Sequence, residues 1–153
     1  MSEPLIRVGG LRKSFQTGDG KIEVLRGLDF EIQPGDTFEC FYTDTVTPKQ
    51  LNIRSAFSKQ GPGGHHITVY YTDQKVAPNH HPCTDVEMVG LHQVAGGNET
   101  KSDDYDLGLP PGYATKVPAG KQLVVQAHYI RTEKTPLKVN DEVTLYTLED
   151  NEV

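Results

Sequence analysis

Histidine is the residue type whose spacing in this chain points most directly to chemistry. Six of the 153 residues are histidines, and four of them form two adjacent pairs. The pair His65-His66 follows a glycine-rich turn at the start of a β-prone segment. His128 lies inside the apolar run 123–130, where an ionisable ring is either hydrogen-bonded in the core or bound to a ligand. His65, His66 and His128 are therefore the candidate metal ligands.

Alternation along a strand limits how His65 and His66 can share one ion. Adjacent residues of a regular strand point to opposite faces of the sheet. The pair can still bind one ion if His65 sits at an irregular strand end, or if the two rings meet the ion through Nδ1 in a T-shaped arrangement. With His128 they form three neutral imidazoles without a thiolate, a set that suits copper or zinc and holds Cu(I) as well as Cu(II). The alternative is that the three are ordinary core or surface residues.

The remaining histidines and the two cysteines carry weaker signals. His80 and His81 lie beside a proline in an apparently exposed loop, so we favour their interpretation as solvated loop residues over a ligand role. His92 has no partner in sequence and is interpreted as a surface or loop residue. Cys83 offers a further metal ligand, but it can also pair with Cys40, the other cysteine, in one disulfide.

The elements that must position these side chains are predicted to be strands. The chain combines 15 Gly and 10 Pro with runs rich in Val, Thr, Ile and Tyr, and we find no helical periodicity. The pattern predicts an all-β fold, an antiparallel β-sandwich (jelly-roll-like) with long loops. Residues 73–106 are predicted to be long loops with one short strand around 86–91. The β-prone runs are 22–33, 37–43, 51–57, 67–72, 123–130 and 142–148.

Charge and hydropathy exclude several classes of partner. The formal net charge is −6 at pH 7, and the acidic excess falls on residues 34–153. Basic residues are not clustered, which argues against nucleic acid and anionic membranes. No stretch approaches the ~20 apolar residues that a membrane span needs, so no span is expected. No segment near the N-terminus has the apolar core of a signal peptide.

Four sequence blocks, in order, resemble a known family. The blocks are 36–40 (DTFEC), 64–70 (GHHITVY), 109–112 with 117–120 (LPPG and VPAG) and 125–129 (VQAHY). Together they resemble the N-terminal copper domain of the copper type II, ascorbate-dependent monooxygenases, the group of peptidylglycine α-hydroxylating monooxygenase and dopamine β-monooxygenase. The resemblance covers about residues 34–150.

The resemblance implies one copper per chain, bound by His65, His66 and His128, that relays electrons from ascorbate or a similar reductant. It also implies a disulfide between Cys40 and Cys83, and with it an oxidising, extracellular or periplasmic compartment.

Some side chains near the candidate ligands are also assigned an expected role. Gln126 lies two residues before His128 on the same strand face and is expected to hydrogen-bond a ligand. Phe38 and Tyr129 are near enough to pack on a ligand ring, although core packing is the favoured interpretation for both.

The departures from the family pattern limit what the resemblance implies. Ile67 stands where Met commonly follows the histidine pair. The family's enzymes react oxygen and substrate at a second copper, held by two His and one Met in a second domain. This sequence has two methionines, Met1 and Met88, and no later His-x-His pair. On the family's pattern, the half of the catalyst that carries the second copper is missing from this sequence.

A second, shorter resemblance lies near the N-terminus. Residues 5–15 and 24–35 resemble the opening strands of an ABC transporter ATPase subunit. The GxxxxGK[ST] loop that should follow is absent, so nucleotide binding has no physical basis. We predict that residues 1–33 supply edge strands or are a fused piece, and that 34–150 form the copper-binding β-sandwich domain.

Three functions remain open at this point. The favoured one is a copper-binding, electron-relay domain that works with a redox partner, an oxidoreductase resembling the first half of a copper monooxygenase. The second is the functional half of a two-copper monooxygenase completed by a partner. The third is a β-sandwich interaction module without a metal.

Overall fold

Strands make up most of the computed structural model, which describes residues 6–17, 20–32, 35–61, 63–98, 105–106, 109–131, 141–149 and 153. The predicted all-β class is confirmed. The elements are β1 (Ile6–Thr17), β2 (Gly20–Ile32), β3 (Gly35–Val46), β4 (Leu51–Lys59), β5 (Gly64–Thr72), β6 (Asn79–Pro82), α1 (Asp85–Val89), β7 (Leu91–Asn98), β8 (Tyr105–Asp106), β9 (Thr115–Val117), β10 (Gln122–Arg131) and β11 (Glu142–Leu148).

These strands form two sheets. The first has the order β2-β1-β11-β4-β8, with β9 also paired to β4, and the second has the order β6-β3-β10-β5-β7. The described pairings are antiparallel, apart from the parallel pairing of β1 with β11. In the second sheet β10 is central, and its neighbours β3 and β5 carry most of the residues singled out from the sequence.

The apolar core lies between the two sheets. On β10 the side chains of Val125, Ala127 and Tyr129 belong to one buried cluster with residues of β4 and β11 from the first sheet. Because side chains alternate along a strand, Gln126 and His128 point to the opposite face of the second sheet. The candidate ligand on β10 therefore lies on the outer face, behind a packed core that fixes its strand.

The segment from residue 73 onwards is more regular than predicted. The strand expected around 86–91 is wrong, because Asp85–Val89 form the helix α1. The Thr84 side chain accepts from the backbone N–H of Glu87, and the Glu87 side chain accepts from the backbone N–H of Thr84. This capping box starts a helix despite the β-branched residues that follow it. Residues 99–104 of the predicted long loop lie outside the described residues.

A disulfide joins β3 to the residue preceding that capping box. Cys40 and Cys83 are bonded and lie 43 residues apart in sequence, which confirms the expected pairing. Closing a loop of this length stabilises the fold by about 4 kcal/mol in the chain-entropy account. Within the described residues, no helix has the length and apolarity needed to cross a bilayer.

The N-terminal strands occupy one end of the first sheet. β2 is the last strand in the sheet order and β1 pairs in parallel with β11. Residues 1–5, 18–19 and 33 of the predicted N-terminal segment lie outside the described residues. The division of the chain at residue 33 stays a prediction.

Candidate metal centre

A β-bulge brings the adjacent histidines to one side of the sheet. In the pairing of β5 with β10, His66 is opposite His128, while Gly64 is opposite Tyr129. His65 is therefore the extra residue between two paired positions, which is the definition of a bulge. A bulge re-aims the side chain it carries, so both rings of the pair can face His128. The irregular strand end anticipated from the sequence is this bulge.

The three rings meet through their Nδ1 atoms. The Nδ1 of His65 lies 2.9 Å from that of His66 and 3.1 Å from that of His128, and the last two are 3.3 Å apart. The ring planes are inclined to one another by 64°, 69° and 74°, the T-shaped arrangement considered from the sequence. The structure thus brings the three predicted ligand residues into one group.

The size of this triangle fits a metal ion. Three nitrogens this close together could each bind one ion at the usual ~2.0 Å metal–imidazole distance. A neutral imidazole has one N–H and one lone pair. When each hydrogen is on Nε2, three lone pairs converge on one point.

Burial favours the neutral form of one ring of the cluster, His66. His128 is only 6% exposed, His66 is half-buried and His65 is exposed. Burial, followed by the proximity of His128 and His65, lowers the pKa of His66 below its ordinary value of 6.5. A neutral imidazole is the form that binds a metal, so at neutral pH this ring needs to lose no proton before binding.

Phe38 covers the ring of His128. The two residues are opposite each other in the β3–β10 ladder, and their rings stack with centroids 3.9 Å apart and planes 8° from parallel. Phe38 is 39% exposed, so its interpretation as a core residue is wrong. Tyr129 is a core residue as expected, since it is fully buried and its hydroxyl donates to the buried carboxyl of Asp141.

Asp36 makes the polar contact on the far side of His128. Its carboxylate is hydrogen-bonded to Nε2 of His128, the ring nitrogen that points away from the cluster. Asp36 lies in one of the blocks of family resemblance, but the sequence pattern assigns it no role. The contact joins residues 92 positions apart, and only the β3–β10 ladder makes them neighbours.

Gln126 shares the outer face with His128, but its contacts go elsewhere. Its Oε1 accepts from the hydroxyl of Tyr70 at 3.5 Å, and its Nε2 lies 3.3 Å from Sδ of Met88 and 3.8 Å from Sγ of Cys83. Helix α1 and the disulfide lie over this part of β10 and engage the amide. The expected hydrogen bond from Gln126 to a ligand ring is not among these contacts, and Asp36 is the hydrogen-bonding partner of His128.

The other predicted histidines lie on β6 and β7 with neighbours of their own. His81 contacts both carboxylate oxygens of Glu87 at 3.1 Å. The ring of His80 stacks on Phe41 with centroids 5.5 Å apart, and the ring of His92 stacks on Tyr71 at 4.6 Å. His80 and His81 thus lie on an edge strand rather than in the predicted loop.

The disulfide settles the open alternative for Cys83. A metal ligand must be a thiolate, and the bonded sulfur of Cys83 cannot become one. The candidate centre therefore has three nitrogen ligands from the protein.

A buried carboxyl lies on the core side of the same sheet. Glu39 is 5% exposed, and burial raises its pKa to about 7, while the nearby His81 opposes this shift. Glu39 pairs with Ala127 on β10 and with Pro82 on β6, so it lies between the strands that carry His128 and the second histidine pair.

Comparison with known proteins finds a short match and no family for this chain. No protein-family description matches the chain, and no solved structure matches it. The chain is similar to the lipoprotein-releasing system ATP-binding protein LolD of Novosphingobium aromaticivorans, with 50% identity over 36 residues. That match covers 24% of this chain and 16% of LolD, so it is too short to show a family. The relation to copper monooxygenases stays a proposal.

Proposed function

We propose that this chain is a copper-binding β-sandwich domain that relays electrons through one copper held by His65, His66 and His128. The observation that supports this most strongly is the convergence of three Nδ1 atoms within 3.3 Å of one another. The proposal also draws on the resemblance of residues 34–150 to the first copper domain of the ascorbate-dependent monooxygenases.

The donor set favours copper over other ions. Imidazole nitrogens suit copper and zinc, and among divalent first-row ions Cu(II) generally binds a given nitrogen site most tightly. Bound copper supplies a one-electron couple between Cu(II) and Cu(I). The three ligands lie on two strands of one hydrogen-bonded ladder, which fixes the spacing of their backbones.

The arrangement of the ligands allows a redox partner to approach from one side. His65 is exposed, whereas His128 is buried beneath the stacked ring of Phe38. We infer that ascorbate or a similar reductant, and a partner protein or second copper domain, reach the site past His65. Neither nucleic acid nor nucleotide is proposed as a partner.

The disulfide supports a location outside the reducing cytosol. Disulfides of this kind persist in secreted and periplasmic proteins. We propose an extracellular or periplasmic location, in which Cys40 and Cys83 stay bonded.

Titration of the metal-free protein with Cu(II) tests this function. We expect saturation at one copper per chain and a sharp loss of affinity in His128→Ala. His80→Ala is the matched control, because it removes an imidazole from the same sheet without touching the cluster. Equal losses in the two variants would contradict the ligand assignment.

The same preparation separates the two other functions. Oxygenation of a substrate by the copper-loaded chain in the presence of ascorbate would favour the monooxygenase half over a relay. Binding that never saturates in the wild-type chain would favour an interaction module without a metal.

A further inference from the structure

The ring of His128 bridges two different environments. Its Nδ1 faces the other two imidazoles, and its Nε2 contacts the carboxylate of Asp36. The side chain of Asp36 is 67% exposed, whereas that of His128 is 7% exposed. A surface carboxylate therefore contacts the nitrogen of a buried ligand ring that points away from the cluster.

The chemistry of this contact determines which nitrogen of His128 carries the hydrogen. An ionised carboxylate only accepts hydrogen bonds, so Nε2 must be the donor. A neutral imidazole with its hydrogen on Nε2 has its lone pair on Nδ1, directed at His65 and His66. The tautomer that Asp36 favours is the one that a shared metal site requires.

His128 is distinguished from the other two rings by this partner. In the described part of the chain, the polar contacts of the His65 and His66 rings are to other rings of the cluster. The ring of His128 is additionally held by the stacked ring of Phe38. The stacked ring of Phe38 thus fixes the orientation of His128, and the hydrogen bond to Asp36 fixes its tautomer.

We propose that Asp36 is a positioning residue that holds His128 as the Nε2–H tautomer and, through its negative charge, favours Cu(II) over Cu(I). The second part rests on the proposed function. A carboxylate hydrogen-bonded to a ligand imidazole raises the basicity of the ligating nitrogen, which stabilises the ion of higher charge.

Two substitutions separate the hydrogen bond from the charge. Asp36→Ala removes both, whereas Asp36→Asn keeps an acceptor for Nε2–H and removes only the charge. Asp44→Asn is the matched control, because Asp44 is exposed on the same strand and its replacement changes the net charge equally. Since Asp36 is exposed, both variants are expected to fold, which thermal unfolding verifies.

The first readout needs no metal. Long-range ¹⁵N–¹H spectra of the metal-free protein, recorded above the ordinary imidazole pKa of about 6.5, report which nitrogen of His128 carries the hydrogen. We expect the Nε2–H tautomer in the wild type, in Asp36→Asn and in the control, and a mixture of tautomers in Asp36→Ala. An unchanged Nε2–H tautomer in Asp36→Ala would overturn the proposal.

The second readout uses copper. We expect Cu(II) affinity to fall about 10- to 100-fold in Asp36→Ala, the usual range for loss of such a partner. In Asp36→Asn the reduction potential should rise, by about 59 mV for each tenfold loss of Cu(II) affinity relative to Cu(I). Potentials and affinities equal to those of the control would overturn the role assigned to the charge.

These experiments distinguish a failure of the proposed copper-binding function from a failure of the role proposed for Asp36. A wild-type chain that binds no copper, but whose His128 tautomer still depends on Asp36, would refute the proposed function and support the tautomer assignment. A chain that binds copper with the same affinity in Asp36→Ala would support the function and refute the role of Asp36.

Discussion

The two adjacent histidine pairs of this chain lie in the same sheet and have opposite fates. His80 and His81 are paired in regular register with Phe41 and Cys40, so their rings point to opposite faces. His65 and His66 are separated from regular register by the bulge, so their rings point to the same side. A histidine pair is therefore a candidate metal site because of a local irregularity of the strand, and adjacency alone does not create one.

The two histidine pairs also differ in their polar partners. His81 is hydrogen-bonded through both ring nitrogens, to Asn79 and to Glu87, which ties β6 to helix α1. The Nδ1 atoms of the first pair contact only other imidazoles of the cluster among the described residues. The rings of His65 and His66 can offer lone pairs to a ligand, whereas both ring nitrogens of His81 are engaged by Asn79 and Glu87.

Removal of the disulfide is expected to have the largest effect on stability. It should act mainly on the region of His80, His81 and helix α1. The double variant Cys40→Ala, Cys83→Ala loses the constraint that holds the start of α1 on β3. We expect the free energy of unfolding to fall by about 4 kcal/mol, measured by denaturant titration. Copper affinity, measured where the variant is still folded, should fall far less than in a ligand variant. A collapse of copper affinity in the folded variant would show that the two regions are coupled.

Replacing one histidine of each pair by alanine tests whether only the first pair binds copper. We expect His66→Ala to lower Cu(II) affinity by about 100-fold or more, beyond the loss usual for a hydrogen-bonding partner of a ligand. His81→Ala should leave Cu(II) affinity nearly unchanged and instead loosen α1, since Glu87 loses a partner. Competition titration against a chelator measures both. Comparable losses of affinity would mean that the second pair also binds copper.

A smaller effect on stability is expected from Glu39, which lies between the strands that carry His128 and the second histidine pair. Burial raises its pKa from 4.5 to about 7 in the folded chain. The folded state then holds a proton that the unfolded state has released between these values, so the contribution of Glu39 to stability is full below pH 4.5 and declines as the pH rises to about 7. We expect Glu39→Gln to remove this part of the decline, measured by denaturant titration across the range. An identical pH profile in the variant would show that Glu39 is not the group responsible.

The parts of the fold that could be predicted are those set by local alternation. The runs 37–43, 51–57, 67–72, 123–130 and 142–148 fall within β3, β4, β5, β10 and β11. Helix α1 was missed because its signal is a capping box of two residues, Thr84 and Glu87, and its five-residue length leaves no helical period to detect. Strand β6 was missed because it is a short edge strand containing a proline.

In the candidate site, the sequence predicted the ligand residues, because their type indicates metal chemistry. It did not predict the contacts that arrange them. The three histidines could be named because an imidazole in an apolar run and an adjacent pair are unusual. The bulge at His65 and the contact of Asp36 with His128 depend on the register between strands far apart in sequence, which no single strand encodes. For the same reason Gln126 was expected beside the ligands, although its amide contacts Met88 and the disulfide.

The most direct test of the account is pulsed electron paramagnetic resonance of the chain loaded with one equivalent of Cu(II), compared with His128→Ala and His80→Ala. The account predicts coupling to three imidazoles in the wild type and in His80→Ala, and a reduced number in His128→Ala. A spectrum that is the same in all three proteins, or that lacks imidazole coupling, would contradict the claim that His65, His66 and His128 form a copper centre.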